Sequence, residues 1–233
     1  MAGEAPAKGK NADLPIRILS AAVMLAVAVA ALMAGDPWLD LFIVAVVAAT
    51  LVEFVRLVLK ATNNLAARVF ALVAGTAYIV LAGVALTQLP PAMIVGVVGT
   101  VIAVDTFAYF FGRTLGGPKI APKISPSKTW AGLLGGVVGA SAWLATFIYF
   151  AARQMSGPTT MGFEMGELGT IIGIGALLAV AAQAGDFLES WLKRKAGVKD
   201  SSNLIPGHGG VFDRTDGMIP VALIAGAFLG VTG

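Results

Sequence analysis

The chain has 233 residues, of which 58% are hydrophobic and 12% are charged, and its formal net charge is +3. Because soluble domains carry about 25% charged residues, this composition excludes an ordinary soluble globular protein. The absence of cysteine excludes a disulfide framework and thiolate chemistry, and a single histidine excludes a multi-histidine metal site.

Seven apolar runs come close to the ~20 residues that a helix needs to cross a bilayer. We expect an all-α integral membrane protein: a polytopic bundle of about seven transmembrane helices forming one domain over residues 16–233, after a disordered tail over residues 1–15. Basic residues before the first run resemble a secretory signal, but its length and the spans that follow favour an uncleaved helix. The predicted runs are 16–34, 41–59, 66–86, 92–111, 125 to about 150, 169 to about 188 and 218–231.

The distribution of basic residues predicts the orientation of these spans. With a cytoplasmic N-terminus, fifteen of the 16 Lys and Arg residues fall in cytoplasmic segments, and Arg153 falls on the other side. Short cytoplasmic loops of membrane proteins carry such an excess of basic residues. We therefore expect the polar loops 112–124 and 190–216 to face the cytoplasm of a bacterial cell, at its inner membrane.

Two patterns predict packing rather than chemistry. Glu53 and Arg56 lie three residues apart on one helical face, which predicts a local ion pair near the interface, with a role in a site as the alternative. The glycines at 132, 135, 136 and 139 form two overlapping GxxxG spacings. Such spacings are typical of closely packed membrane helices.

The segment around the end of the fourth run has two features suited to a site. Asp105 lies inside an apolar run, where a carboxylate is costly and faces a bundle interior or a wet cavity; Tyr109 shares its face. Ser125 before a proline predicts a helix start whose free N–H groups bind phosphate, beside Lys128 and Thr129. A lone hydrogen-bonded aspartate and a simple helix cap are the alternatives.

Acidic residues recur near the end of the sixth run and after the glycine-rich turn. Asp186, Glu189 and Ser190 lie on one side of a helix, and Asp213 and Asp216 form a second pair three residues apart. Carboxylate oxygens at this position suit Mg²⁺, which binds one or two carboxylates together with substrate phosphates. Ion pairs with the neighbouring basic residues Lys193, Arg194 and Arg214 are the alternative interpretation.

The turn between these acidic pairs is rich in glycine. Gly207, Gly209 and Gly210 have no side chains to block a phosphate, and their N–H groups are able to form an anion-binding nest. His208 either binds a phosphate or holds the turn. Lys199 and Asp200 precede the turn and add a charge of each sign.

Residues 190–216, read as S-x-L-K-R-x4-K-D-S-S-x-x-I-P-G-H-G-G-V-x-D-R-T-D, resemble the signature of the phosphatidate cytidylyltransferase (CDP-diacylglycerol synthase) family. Residues 105–132 (D-T-x-A-Y, G-R, Lys119 and S-P-x-K-T-W-x-G) and 183–190 (Q-x-G-D-x-x-E-S) resemble two further segments of it. Ser127 stands where a second lysine is common, and Ala131 where an acidic residue is common. The chain is also shorter than is usual in the family, by an N-terminal helix.

The resemblance implies a Mg²⁺-dependent membrane nucleotidyltransferase of phospholipid biosynthesis. It implies that CTP and phosphatidic acid become CDP-diacylglycerol and pyrophosphate, with one or two cations bound by Asp186 and Asp213. These two residues, Lys199 and Arg214 are then catalytic. The implied substrate-binding residues are Asp105, Tyr109, Ser125, Lys128, Thr129, Glu189, Ser190, Lys193, Arg194, Asp200, His208, Gly209, Gly210 and Asp216, of which Asp105 and Asp216 are the weaker metal candidates.

Two other functions remain open from the sequence. A CTP-dependent kinase of a polyprenol or phytol uses similar loops but releases CDP. A transporter of an anionic solute would place Asp105 in a pore, although we find no symmetry between two halves of the chain. We expect CTP, phosphatidic acid and membrane lipids as partners and no nucleic acid, and a homodimer stays an open alternative.

Overall fold

The protein is an all-α polytopic membrane protein with one small β-hairpin, and its computed structural model describes residues 14–156, 164–228 and 230. Six helices, α1 to α6, are long and apolar enough to cross a membrane, and α8 is a shorter apolar helix. The elements are α1 (Leu14–Ala34), α2 (Trp38–Ala61), α3 (Leu65–Gln88), α4 (Pro91–Thr114), β1 (Lys119–Ala121), β2 (Ser125–Thr129), α5 (Trp130–Ser156), α6 (Met165–Lys195), α7 (Phe212–Thr215) and α8 (Met218–Phe228).

The predicted runs correspond to these helices, with differences at the ends. Residues 1–13 of the expected tail lie outside the described residues, whereas Leu14 and Pro15 already belong to α1. Helix ends carry ordinary caps: the Asn64 side chain accepts a hydrogen bond from the Ala67 N–H at the start of α3, and Pro91 opens α4. The Asn64 side chain thus satisfies one N–H group at a helix start, and a proline at the start of α4 has no N–H group that needs a partner.

Helix α6 continues past the predicted end near residue 188 and includes residues 190–195, which the sequence predicts as part of a loop. The basic residues of its last turn interact favourably with the negative end of the helix dipole. The helix stops where Gly197 adopts φ +69°, the left-handed conformation that favours glycine after a helix end. At 31 residues the helix is about 46 Å long, so it exceeds the ~30 Å apolar core of a bilayer.

The glycines of α5 bring it against α4, as their spacing predicted. A Cβ on Gly135 would lie 2.6 Å from the carbonyl oxygen of Phe107, and one on Gly139 would lie 2.6 Å from that of Ala103. Real side chains do not tolerate such distances, so glycine is required for this helix contact. The contact fixes the start of α5, and with it β2, above the C-terminal end of α4.

The predicted helix start at Ser125 is wrong. Residues 125–129 form β2, which pairs antiparallel with β1 through Lys119 opposite Thr129 and Ala121 opposite Ser125. Helix α5 begins at Trp130, and its cap is the Thr129 hydroxyl, which accepts a hydrogen bond of 3.0 Å from the Gly132 N–H. The residue before a proline prefers an extended backbone, and both a helix cap and a strand use that conformation, so the Ser-Pro pair did not distinguish them.

Close backbone contact also joins α6 to the turn before α8. A methyl group on Gly185 would collide with the backbone carbonyl of Asp216. The alternation of the six long helices places β1–β2, the C-terminal end of α6 and the segment 196–217 at the same end of the bundle. The polar segments that are distant in sequence therefore share one end of the protein.

Candidate functional site

Three carboxylates meet at the C-terminal end of α6. Asp186 and Glu189 lie on successive turns of this helix, and Asp216 approaches from the turn before α8, where Gly185 leaves room for its backbone. One oxygen from each carboxylate lies within 4.8 Å of the other two. We refer to Asp186, Glu189 and Asp216 as the acidic cluster.

Two lysines neutralise part of this charge. Lys128, from β2, forms an ion pair with Asp186, and its ammonium group lies 5.2 Å from the centre of the Phe187 ring. Lys193, one turn beyond Glu189, places Nζ 2.5 Å from Oε2 of Glu189 and 2.6 Å from Oδ1 of Asp213. The hairpin, α6 and α7 thus contribute charged groups to one cluster.

Asp213 lies beside the acidic cluster and is held mainly by Lys193 and by backbone N–H groups of the loop. Its Oδ1 accepts a hydrogen bond from Lys193, and its Oδ2 accepts from the N–H groups of Ser201 and Gly210 at 2.9 and 2.7 Å. Burial alone would raise the pKa of Asp213, but its contacts with Glu189, Lys193 and these N–H groups hold the pKa well below its usual range. Asp213 is therefore ionised and positioned.

In contrast to Asp213, Asp216 has surroundings that raise its pKa and disfavour its ionised form. Burial and the nearby negative charge of Asp186 raise the pKa of Asp216 to about 7, although the Gly217 N–H donates a hydrogen bond to its carboxylate. Three carboxylates at this distance repel one another unless a cation or a proton joins them. The raised pKa of Asp216 thus reflects its burial first and the neighbouring Asp186 second.

The acidic cluster fits a divalent cation bound through oxygen atoms. Both carboxylate oxygens of Glu189 are buried and receive no hydrogen bond from any residue that the structure describes, although Lys193 pairs with one of them by charge. Buried carboxylates without donors are costly, and a hard cation satisfies them. The sequence resemblance assigns the metal to Asp186 and Asp213. The structure groups Asp186 with Glu189 and Asp216, so the assignment to Asp213 stays a prediction.

Glu53 of α2 holds the loop beside this cluster, although the sequence favoured an ion pair with Arg56 over a role in a site. Its side chain is 2% exposed. It accepts hydrogen bonds from the hydroxyls of Ser201 and Ser202 at 2.8 and 2.6 Å, and from the N–H groups of Val211 and Phe212 at 3.1 and 2.8 Å. The expected Glu53–Arg56 ion pair is absent from the ion pairs among the described residues.

The glycine-rich turn packs against the two carboxylates of Glu53 and Asp213. A Cβ on Gly210 would collide with the Glu53 carboxylate, and Gly209, at φ +84°, lies beside Oδ2 of Asp213. Gly210 donates its N–H to Asp213. The turn therefore cradles carboxylates of the protein, and phosphate binding by its N–H groups stays a prediction.

The remaining predicted residues surround this centre at various distances. Asp105 is exposed and lies within electrostatic range of Lys128, Asp186 and Arg214. Ser190 donates a hydrogen bond of 3.2 Å to Asp186. Asp200 is exposed on the loop, and its Cβ would lie 3.4 Å from one on Gly209.

Several predicted residues make contacts away from the acidic cluster. Tyr109 is 57% exposed and accepts a hydrogen bond of 2.8 Å from Arg113. Arg194 reaches the carbonyl of Ile124, and the His208 ring pairs with the hydroxyl of Ser20 on α1. Arg214 donates two hydrogen bonds to the carbonyl of His208, and Ser125 and Thr129 are buried in the hairpin.

Comparison with known sequences identifies relatives for the C-terminal part of the chain, which carries the acidic cluster. A protein family described as "Cytidylyltransferase family" matches residues 90–232, which include the hairpin, the acidic cluster and the glycine-rich turn. Glu53 and Arg56 lie outside the matched residues.

Three bacterial proteins named phosphatidate cytidylyltransferase illustrate the similarity. That of Brucella melitensis is 42% identical over 137 residues, 56% of this chain and 44% of the relative. That of Rickettsia bellii is 39% identical over 52% of this chain and 51% of the relative. That of Haemophilus influenzae is 45% identical over 50% of this chain and 38% of the relative. The aligned region thus spans about half or less of each of these relatives.

Proposed function

Since the chain belongs to the cytidylyltransferase family, we propose that it transfers the cytidylyl group of CTP to phosphatidic acid. A phosphate oxygen of phosphatidate forms a bond to the α-phosphorus of CTP while the bond from that phosphorus to the bridging oxygen breaks. The products are CDP-diacylglycerol and pyrophosphate. The observation that supports this most directly is the charged cluster itself, in which Lys128, Asp186 and Asp213 come from three segments of the matched region.

This reaction does not require a strong general base. The phosphate of phosphatidate is already anionic, so the site has to position the two substrates and neutralise the charge that develops on the leaving pyrophosphate. Lys128 and Lys193 are suited to this task because each is a partly buried cation directed into the cluster. In the structure each lysine pairs with a carboxylate. When the substrates bind, each lysine exchanges part of that contact for a phosphate oxygen.

We propose Mg²⁺ as the cation of the acidic cluster. Asp186, Glu189 and Asp216 would hold it, and when bound it supplies charge neutralisation to the phosphate oxygens of the nucleotide. Asp213, already ionised and held by backbone N–H groups, fixes Lys193 and the glycine-rich turn around the cluster. The role of Asp213 as a direct metal ligand is the alternative that the resemblance implies.

We further propose that the site faces the cytoplasm at a bacterial inner membrane. The excess of basic residues at the site's end of the bundle supports this orientation. CTP then reaches the cluster from the cytoplasm, whereas the acyl chains of phosphatidate stay in the bilayer. We treat residues 16–233 as one membrane domain, with the N-terminus on the same side as the site.

The test is an analysis of products from the purified chain with CTP, phosphatidate and Mg²⁺. We expect CDP-diacylglycerol and pyrophosphate in equal amounts, and about 100-fold less of both from Asp186→Asn. Removal of Mg²⁺ with EDTA should abolish the reaction. In a parallel reaction with a polyprenol in place of phosphatidate, release of CDP with the phosphorylated alcohol would support a kinase instead. Equal activity of wild type and Asp186→Asn would contradict the proposed site.

A further inference from the structure

Helix α2 and the loop after α6 enclose a groove on the far side of Glu53 from the acidic cluster. One end of the groove is a cavity of about 530 Å³ with largely apolar walls. Ala48, Ala49 and Val52 form its wall on α2, and Leu204, which is 63% exposed, forms its wall on the loop. The small side chains of Ala48 and Ala49 leave room for this cavity. Glu53 lies at its base, and its carboxylate already has four hydrogen-bond donors within reach.

The other end of the groove is a cavity of about 510 Å³ with a basic lining. Arg56, Lys60 and Lys199 line it together with the acidic Asp200 and polar loop residues. None of these three basic side chains has an ion-pair partner among the residues that the structure describes. The cavity therefore has an excess of positive charge that the protein itself does not neutralise.

The two cavities adjoin, since Arg56 and Ser202 line both. Val52 and Lys60 lie eight residues apart on α2, a rise of about 12 Å along the helix. The apolar end therefore lies deeper in the bilayer, and the basic end lies where α2 leaves it. This arrangement matches the upper acyl chain and the headgroup of an anionic phospholipid, because cationic side chains near helix ends place their charges at the interface.

The groove also contacts the site. Ser201 lines the basic cavity. Its N–H donates to Oδ2 of Asp213 at 2.9 Å, and its hydroxyl oxygen lies 2.8 Å from the same atom. One loop residue thus separates the basic cavity from the carboxylate that holds Lys193. The basic cavity therefore adjoins a residue that positions Asp213.

We propose that this groove binds phosphatidate, the lipid substrate. Its phosphate lies among Arg56, Lys60 and Lys199, and one acyl chain lies along Ala48 and Val52. The identity of the lipid rests on the proposed function, whereas the groove and its charge do not. Arg56 and Lys60 lie outside the region that matches the cytidylyltransferase family, so α2 supplies lipid recognition to a site built by the rest of the chain.

Equilibrium binding of radiolabelled phosphatidate to the full chain in phosphatidylcholine nanodiscs, without CTP or Mg²⁺, tests this proposal. We expect the double variant Arg56→Gln with Lys60→Gln to bind phosphatidate about 30-fold more weakly than wild type. The charge-retaining pair Arg56→Lys with Lys60→Arg should bind within about threefold of wild type, which separates loss of charge from loss of fold. Arg153→Gln, an exposed change at the opposite end of the bundle, should bind as wild type does.

A second readout separates the lipid from the nucleotide. In the cytidylyl transfer assay, the Arg56→Gln and Lys60→Gln changes should raise KM for phosphatidate and leave KM for CTP unchanged. A rise in KM for CTP alone would make the groove a nucleotide site and overturn the proposal. Unchanged phosphatidate binding in the double variant would also overturn it, as would competition by soluble glycerol 3-phosphate as strong as that by phosphatidate.

The two proposals fail separately in these experiments. A chain that binds phosphatidate with the expected dependence on Arg56 and Lys60, and that makes no CDP-diacylglycerol, would support the groove and contradict the proposed function. A chain that makes CDP-diacylglycerol with the same KM for phosphatidate in the double variant would support the function and contradict the groove.

Discussion

Ser201 donates a hydrogen bond of 2.8 Å from its hydroxyl to Oε2 of Glu53, although the two residues lie 148 positions apart in the sequence. The same hydroxyl lies 2.8 Å from Oδ2 of Asp213. Ser201 has one hydroxyl hydrogen, so it serves one of the two carboxylates at a time. This contact ties α2 to the loop that positions Asp213.

We predict that Glu53 is required for the stability of the loop. Glu53→Ala leaves three partly or fully buried donors without an acceptor, while the Ser201 hydroxyl keeps Asp213, and this should destabilise the protein by about 3 kcal/mol and reduce activity. Glu53→Gln should have a smaller effect, since the amide oxygen still accepts. Thermal unfolding in detergent measures both, and Asp40→Asn on the same helix should change stability by less than about 1 kcal/mol. Equal melting temperatures for Glu53→Ala and Asp40→Asn would contradict this prediction.

Gly185 should be intolerant of any side chain. Gly185→Ala places a methyl group against the carbonyl of Asp216, so either α6 or the turn before α8 has to move and the acidic cluster loses its geometry. We expect at least a tenfold loss of kcat/KM in the cytidylyl transfer assay. Gly173→Ala on the same helix meets no atom within 4 Å and should be neutral or stabilising by up to about 1 kcal/mol. Full activity of Gly185→Ala would show that the close contact does not matter.

Metal binding should depend on the acidic cluster and less on Asp213. Saturating Mg²⁺ is expected to raise the melting temperature of the wild-type chain by about 5 °C, as ligands that bind only the folded state do. Asp216→Asn should abolish this shift because it removes one of the three cluster carboxylates. Asp213→Asn should keep most of the shift while losing activity, since Lys193 and the turn lose their anchor. The reverse pattern would favour the metal pair Asp186 and Asp213.

The orientation can be tested by cysteine labelling, because the natural chain contains no cysteine. Asn203→Cys and Lys119→Cys should react with a membrane-impermeant maleimide only when the cytoplasmic face is accessible, as in inverted vesicles. Arg153→Cys should react in intact spheroplasts. Labelling of Asn203→Cys and Arg153→Cys from the same side would contradict the six-span topology.

The sequence predicted the helices well because each span is a long apolar run, and a chain in lipid has to satisfy its backbone within a helix. The helix ends were harder. The last turns of α6 read as a polar loop because Lys193, Arg194 and Lys195 follow one another, yet they are good helix formers beside a favourable dipole. The hairpin was missed because its residues show no alternation of apolar and polar side chains.

The composition of the site was predictable, and its internal connections were not. Asp186, Asp213 and Lys128 stand out because charges are rare in such a chain. Glu53 also stands out, but the sequence paired it with Arg56. Its actual partners are hydroxyl and N–H groups far along the sequence, and nothing near Glu53 marks them. Gly185 shows the same limit, because its requirement comes from the Asp216 backbone rather than from local conformation.

The central claim is that residues from separate segments act in one site, and a double-mutant cycle on Lys128 and Asp186 tests it most directly. We expect Lys128→Gln and Asp186→Asn each to lower kcat/KM for cytidylyl transfer by about 100-fold. If the ion pair belongs to one site, the double variant should be about as active as the less active single variant. The effects of substituting residues that act together are not additive. A double variant that loses about 10⁴-fold, the product of the two separate effects, would contradict a shared site.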